Sequence, residues 1–261
     1  MENKVLLVLV DGLSPDALER STHPFFKNFI HKCTYTKKGS SVYPSVTLPC
    51  HMSIFHSVAP DRHGVMDNIY VRPAHPINGL FEVLASYKKE SFFFYTWEEL
   101  RDIGRPGSLS CQEFCSHARY GKEADIRMCQ RTIEALKKKQ PDFMFFYLGH
   151  PDEVGHDHGW MSQEYLEAVD FASENIEKIV EVLPENYTLI ITADHGGHER
   201  IHGTTMAEDM TIPIMFYGSL WEADRELQDI SLLDIAPTVA SLLGCEPDAV
   251  WEGRALNEAC I

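Results

Sequence analysis

Six consecutive apolar residues, Val5-Leu6-Leu7-Val8-Leu9-Val10, stop abruptly at Asp11-Gly12. A strand with one solvated face alternates apolar and polar side chains, whereas an unbroken run must be covered on both faces. Few folds offer that environment, so this run constrains the architecture more than any other part of the chain. Phe143-Met144-Phe145-Phe146-Tyr147-Leu148 is a second such run, and Leu189-Ile190-Ile191 is a third. Ser91–Tyr95 and Ile212–Tyr217 also read as strands. Amphipathic helices are expected between them: Ile77–Tyr87, a helix from near Glu123 closed by Lys137-Lys138-Lys139, and Gln163–Leu183. The last carries Leu166, Val169, Ile176, Ile179 and Leu183 on its apolar face and is closed by Pro184. Leu232–Leu243 reads as a helix ending at Gly244. This alternation predicts an α/β fold with a mostly parallel central sheet flanked by helices on both faces. No linker, repeat or low-complexity tract divides residues 1–261, so a single domain is expected. Residues 101–122 carry no clear period, and 69–125 is expected to hold a small lid or substrate-facing insertion.

Charge and cysteine usage narrow the function. Lys and Arg number 23 against 39 Asp and Glu, a formal charge of −16. That excludes a nucleic acid polymer held by general electrostatics, but not a small anionic substrate drawn to bound cations. The first apolar run is too short for a signal peptide, and no run approaches the ~20 apolar residues of a membrane span. The seven cysteines are scattered; Cys111 and Cys115 have zinc-compatible spacing, but no second pair follows. Free thiols, no membrane and a cytoplasmic location are the expectations.

Chemistry-bearing residues collect where the strands end. Asp11 ends the first run, where open α/β sheets place ligands, though an acid there can also serve a turn. Gly149-His150-Pro151-Asp152-Glu153-Val154-Gly155-His156-Asp157-His158-Gly159 follows the second. Asp152 and His156 are four apart, so one helical turn or a compact loop can aim both at one ion. Thr192-Ala193-Asp194-His195-Gly196-Gly197-His198-Glu199-Arg200-Ile201-His202-Gly203 follows the third. Mixed carboxylates and imidazoles suit zinc or a similar first-row metal. Thr47 falls just ahead of a helix with Pro49 in its first turn, and its hydroxyl can cap that helix or act as a nucleophile. His63-Gly64 reads as a turn, and Asn68 as a turn residue or an amide donor to an anion.

Taken together, the motifs resemble the alkaline phosphatase superfamily and, within it, the nucleotide pyrophosphatase/phosphodiesterase family. The resemblance runs from about Val5 to about Leu243. It rests on Val10-Asp11-Gly12, Pro44-Ser45-Val46-Thr47-Leu48-Pro49-Cys50-His51, His63-Gly64-Val65-Met66-Asp67-Asn68, Pro151-Asp152-Glu153-Val154-Gly155-His156, Ala193-Asp194-His195-Gly196 and His202-Gly203, in that order. It implies an alkaline phosphatase-like fold and two divalent metal ions, zinc by preference and manganese or iron otherwise. Asp11, Thr47, Asp194 and His195 would surround one ion; Asp152, His156 and His202 would surround the other. Thr47 is the implied nucleophile, forming a phosphothreonine intermediate, and Asn68 the implied donor to the phosphoryl oxygens. Two ions ~4 Å apart suit the attacking and leaving oxygens of an in-line displacement. His150, His158, His198 and Glu199 are left to supporting or structural roles.

The resemblance also carries departures. Leu48 stands where nucleotide-cleaving relatives often have an aromatic residue. Tyr147 matches a tyrosine that relatives use against a nucleotide base, although it also ends a buried strand. Both are expected at the substrate. His150 replaces a common acid. A small-molecule phosphoester is therefore the expected substrate, with a diester or pyrophosphate ahead of a monoester, phosphonate or sulfate ester. A sulfatase would need an arginine shortly after Cys50, which is absent; a monoesterase would want a cation near Thr47, and only Arg62 is nearby in sequence. A non-catalytic module that binds a phosphorylated ligand through metal is the alternative from another class.

Overall fold

The computed structural model describes residues 2–72, 76–256 and 260. Eight strands are formed: β1 (Lys4–Val10), β2 (Thr34–Ser40), β3 (Ser91–Tyr95), β4 (Cys111–Phe114), β5 (Phe143–Leu148), β6 (Tyr187–Thr192), β7 (Thr211–Tyr217) and β8 (Arg225–Glu226). They make one sheet in the order β4-β3-β5-β1-β6-β7-β2-β8. β7 alone runs against its neighbours β6 and β2; every other pairing is parallel. The three continuous apolar runs are the three central strands. β5 and β6 are buried at every position, as is β1 from Val5 onward.

Register positions the chemistry. Val10 lies opposite Leu148 of β5, and Leu9 opposite Thr192 of β6. Asp11, Asp194 and the helix carrying Asp152 therefore follow the C-terminal ends of three adjacent strands. Side chains of β5 alternate between its faces. Phe143, Phe145 and Tyr147 point toward the helix Thr47–His56 and its neighbour Leu80–Ser86. Phe55 meets Phe145 edge-on at 5.0 Å, Phe81 lies 5.8 Å from Phe143, and His51 lies 5.5 Å from Tyr147. The helix Ile235–Leu242 completes this layer. A second layer centres on the helix Gln163–Val180, which packs against Pro15–Arg20, Lys122–Lys138 and His150–His158.

Part of the stretch 69–125, where a small lid or substrate-facing insertion is expected, belongs to the main sheet. β3 and β4 form one edge of the main sheet, and Lys122–Lys138 packs on β3 and β5. β4 gives no apolar signal because its residues alternate between half-buried and exposed. β2 was unreadable for the same reason: Thr34-Tyr35-Thr36-Lys37-Lys38-Gly39-Ser40 is polar, yet it pairs with β7 and β8. The expected Ile77–Tyr87 helix begins only at Leu80, where Glu82 accepts the Gly79 backbone N–H at 2.8 Å. The expected Leu232–Leu243 helix divides into a 3₁₀ turn, Leu232–Asp234, and an α-helix, Ile235–Leu242.

Candidate metal centre

The first cluster gathers around one imidazole nitrogen. His195 Nδ1 donates to the Gly196 carbonyl at 2.8 Å. A carbonyl can only accept, so the proton sits on Nδ1 and Nε2 keeps its lone pair. Around Nε2 stand Thr47 Oγ1 at 3.2 Å, Asp11 Oδ1 at 3.3 Å and Asp194 Oδ2 at 3.4 Å. All four residues are buried. Asp194 Oδ1 is held by the backbone N–H groups of Gly12 and His195, at 3.3 and 3.0 Å. Asp11 Oδ1 and Asp194 Oδ2, the oxygens turned toward the cluster, have no hydrogen-bond partner.

The second cluster is built from Asp152 and His156 on the helix His150–His158 and from His202. His156 Nδ1 donates to the Arg200 carbonyl at 3.0 Å, and His202 Nδ1 to the Ser45 carbonyl at 2.8 Å. Both Nε2 atoms therefore carry lone pairs, and they face each other across 3.1 Å. Asp152 Oδ2 lies 3.5 Å from one and Oδ1 3.7 Å from the other. Asp152 Oδ1 is also buried and unpartnered. The rings of His195 and His202 stack with centroids 3.7 Å apart and planes 12° apart, which joins the two clusters.

The electrostatics describe two electron-rich hollows. Burial, then the nearby Asp194 and Asp152 charges, pushes the Asp11 carboxyl well above its ordinary range. Asp152 is raised in the same way by burial and by Asp194. Asp194 is also raised, mainly by burial. Burial lowers His195 to about 4 and His202 to about 3, so neither imidazole supplies a compensating proton near neutrality. Unpaired buried carboxylates are costly unless a cation meets them. Two sets of carboxylate oxygens and bare Nε2 atoms fit two zinc-like divalent ions in donor type and number.

The helix that carries Thr47 does not use its hydroxyl as a cap. Val46 is the N-cap residue, and no side chain of the helix caps it. Instead Asn68 Oδ1 accepts the Leu48 backbone N–H at 3.0 Å from outside. Thr47 is thereby left free to face His195. Asn68, with its oxygen engaged, keeps its NH₂ group for another acceptor beside Thr47.

Two expected substrate contacts are corrected. Leu48 is fully buried in the hydrophobic core: one residue along a helix turns the side chain by about 100°, away from the Thr47 side. Tyr147 is also buried, and its hydroxyl donates to Asp11 Oδ2, which orients that carboxylate and leaves Oδ1 toward the cluster. The supporting histidines take structural places. His198 Nδ1 lies 2.7 Å from Asp209, whose other oxygen accepts the Thr204 N–H and hydroxyl, fastening the loop around His202. His158 is on the exposed side, 3.8 Å from Glu164. His150 packs on Phe171 outside both clusters. Sequence reading missed Asp125, a buried carboxylate that accepts the N–H groups of Gly149 and His150 at 3.3 and 3.1 Å and so anchors the helix bearing Asp152 and His156. Nothing local in the sequence marks it.

Comparison with known proteins agrees with this architecture. Residues 5–89 match the type I phosphodiesterase/nucleotide pyrophosphatase family model, and residues 118–247 match the metalloenzyme superfamily model. Venom phosphodiesterase 2 of Crotalus adamanteus is 26% identical over 227 residues, which cover 76% of this chain and 27% of the relative. The chain thus spans about a quarter of the length of that relative. Among solved structures, murine ectonucleotide pyrophosphatase/phosphodiesterase 5 in complex with AMP superposes with a TM-score of 0.85 at 15% identity, covering 100% of both chains. A 2-O GAG sulfatase superposes with a TM-score of 0.77 at 13% identity, covering 98% of this chain and 73% of the other. In fold the chain is alkaline phosphatase-like. Its first third is similar to the type I phosphodiesterase/nucleotide pyrophosphatase family.

Proposed function

We propose that this chain hydrolyses a small phosphodiester or nucleotide pyrophosphate at a two-metal site, with Thr47 as nucleophile. The observation that carries this reading is the pair of Nε2 atoms of His156 and His202, each ring anchored through Nδ1 on a carbonyl, facing each other at 3.1 Å beside the buried, unpartnered Asp152 Oδ1. Lone pairs held in that arrangement call for a cation between them. Asp11, Thr47, Asp194 and His195 would hold one divalent ion, zinc by preference, and Asp152, His156 and His202 the other; such ions supply positive charge that acidifies a bound hydroxyl and offsets charge on phosphoryl oxygens.

The chain's own residues then divide the work. Thr47 Oγ1, at the N-terminus of its helix, forms a bond to phosphorus while the bond from phosphorus to the leaving oxygen breaks. The helix end favours the anionic form of that oxygen. Asn68 donates its NH₂ group to a non-bridging oxygen as charge redistributes. Water then displaces Thr47 Oγ1 from phosphorus, and two inversions give net retention. Tyr147 holds Asp11 in place, and His51 donates to the Thr47 carbonyl at 2.8 Å, steadying the first helical turn.

Cation supply favours a diester. Arg62, the nearest arginine in sequence, is turned away and paired with Glu252 at 2.9 Å. Among the described residues every ion pair within the clusters is between histidine and aspartate. The second negative charge of a phosphomonoester therefore meets no dedicated side chain. A sulfatase-type nucleophile is also disfavoured, because Cys50 is buried with its sulfur 3.4 Å from Ser41 Oγ. The partner proposed is a small phosphoester rather than a nucleic acid polymer, given the charge of −16. Seven free cysteines accord with a reducing compartment such as the cytoplasm.

With zinc-reconstituted protein, kcat/KM for a p-nitrophenyl diester should exceed that for the matching monoester by about 10²-fold, the scale set by an uncompensated charge. A monoester preference would reverse this ranking. Exhaustive chelation should abolish both activities, and zinc or manganese should restore them; turnover that survives chelation defeats the two-metal reading.

A further inference from the structure

Trp160 lies outside every motif the sequence singled out, yet it touches the second cluster and the turn that carries Asp11. Its indole Nε1 donates to the Gly12 carbonyl at 2.9 Å, next to Asp11. The same carbonyl accepts the Tyr165 hydroxyl at 2.8 Å, so the turn after β1 is pinned twice. The indole meets the ring of His156 edge-on, with centroids 5.3 Å apart and planes at 88°. It also meets the ring of His202 at 5.9 Å and 66°. Its backbone N–H donates to the Glu199 carbonyl at 2.7 Å, in the loop between His195 and His202.

Three glycines make room for this ring. A Cβ at Gly155, beside His156, would lie 2.9 Å from the indole. One at Gly12 would lie 3.1 Å from it, and one at Gly197 would fall well inside its van der Waals surface. These glycines come from the turn after β1, the helix after β5 and the loop after β6. A single flat side chain is thus wedged among all three acid-bearing segments, and the two imidazoles whose Nε2 atoms point at one another lean on it.

The geometry points to Trp160 as the positioning residue that holds His156 and His202 in register for the second metal ion. This rests on the two-metal reading. The ring, more than its N–H, supplies the effect, because the ring is what both imidazoles touch. Groups that orient metal ligands commonly account for about 10–100-fold in metal affinity.

The test is zinc affinity, measured by competition with a chromogenic chelator. Trp160→Leu keeps an apolar side chain but removes the flat wall; Trp160→Phe keeps a ring and removes the N–H. Wild type should bind two equivalents. Trp160→Leu should weaken one of them by about 10–100-fold, and Trp160→Phe should stay within about threefold of wild type. In a His202→Ala background, where the second site is already broken, Trp160→Leu should change the remaining equivalent by less than about threefold. A general loss of structure would weaken both equivalents and would not be rescued by phenylalanine. Trp160→Leu with two wild-type affinities overturns the inference while leaving the two-metal reading intact. Wild-type protein that binds no zinc overturns both.

Discussion

Thr47→Ala should retain its metal and lose turnover by on the order of 10⁴-fold or more, the scale seen when a nucleophile is removed from a preorganised site. The fold has little reason to notice the change. Thr47 is the first residue of its helix, alanine is the strongest helix former, and the helix N-terminus is capped from outside by Asn68 on the Leu48 N–H. The cluster around it keeps Asp11, Asp194 and His195, three ligands whose orientation comes from Tyr147, the Gly12 N–H and the Gly196 carbonyl rather than from Thr47. Metal analysis and thermal unfolding should therefore match wild type while steady-state turnover collapses. With a slow substrate, quenched wild-type protein should also carry a phosphoryl adduct on the peptide containing Thr47, and the variant should not. Turnover within about tenfold of wild type would remove Thr47 as nucleophile and leave water as the attacking group.

What the sequence disclosed follows from which forces are local. β1, β5 and β6 were legible because a strand buried on both faces must be apolar at consecutive positions, and Val5–Val10 has no other comfortable environment. β2 and β4 were not, because edge-region strands leave half their side chains near water and owe their place to partners far along the chain. The acids and imidazoles at the strand ends were legible as a group for the same reason as the strands. Their division between two ions was not readable from spacing; it came with the family resemblance, and the register of β5, β1 and β6 accords with it. Direction was the harder quantity. Leu48 and Tyr147 sit beside the chemistry in sequence, yet helix rotation turns one into the core, and the tyrosine's hydroxyl reaches Asp11 rather than the substrate. Asp125 and Trp160 were invisible because their partners, Gly149 and His150 for one and three separated glycines for the other, exist only after folding.

His202→Ala is the most damaging change expected among the second cluster's ligands. Three of the side chain's contacts belong to different parts of the centre. Its Nε2 faces His156 Nε2, so truncation removes one of only three protein ligands expected on that ion. Its Nδ1 donates to the Ser45 carbonyl, two residues before Thr47, so the strap leading to the nucleophile loses an anchor. Its ring covers the face of His195, so the first cluster is opened to water. A structural zinc with two remaining ligands is weakly held. The variant should lose about one zinc equivalent after gel filtration, read by plasma emission spectrometry, and kcat/KM should fall by about 10³-fold, since positioning and charge stabilisation are lost together. Excess zinc should recover part of the activity if affinity is the main loss, whereas the opened His195 face should keep full recovery out of reach. Because Gly203 and the Asp209 clasp on Thr204 are untouched, the loop itself should stay folded, and unfolding of the metal-free variant should track that of metal-free wild type. An unchanged metal content would exclude His202 as a ligand and return the second cluster to Asp152 and His156 alone.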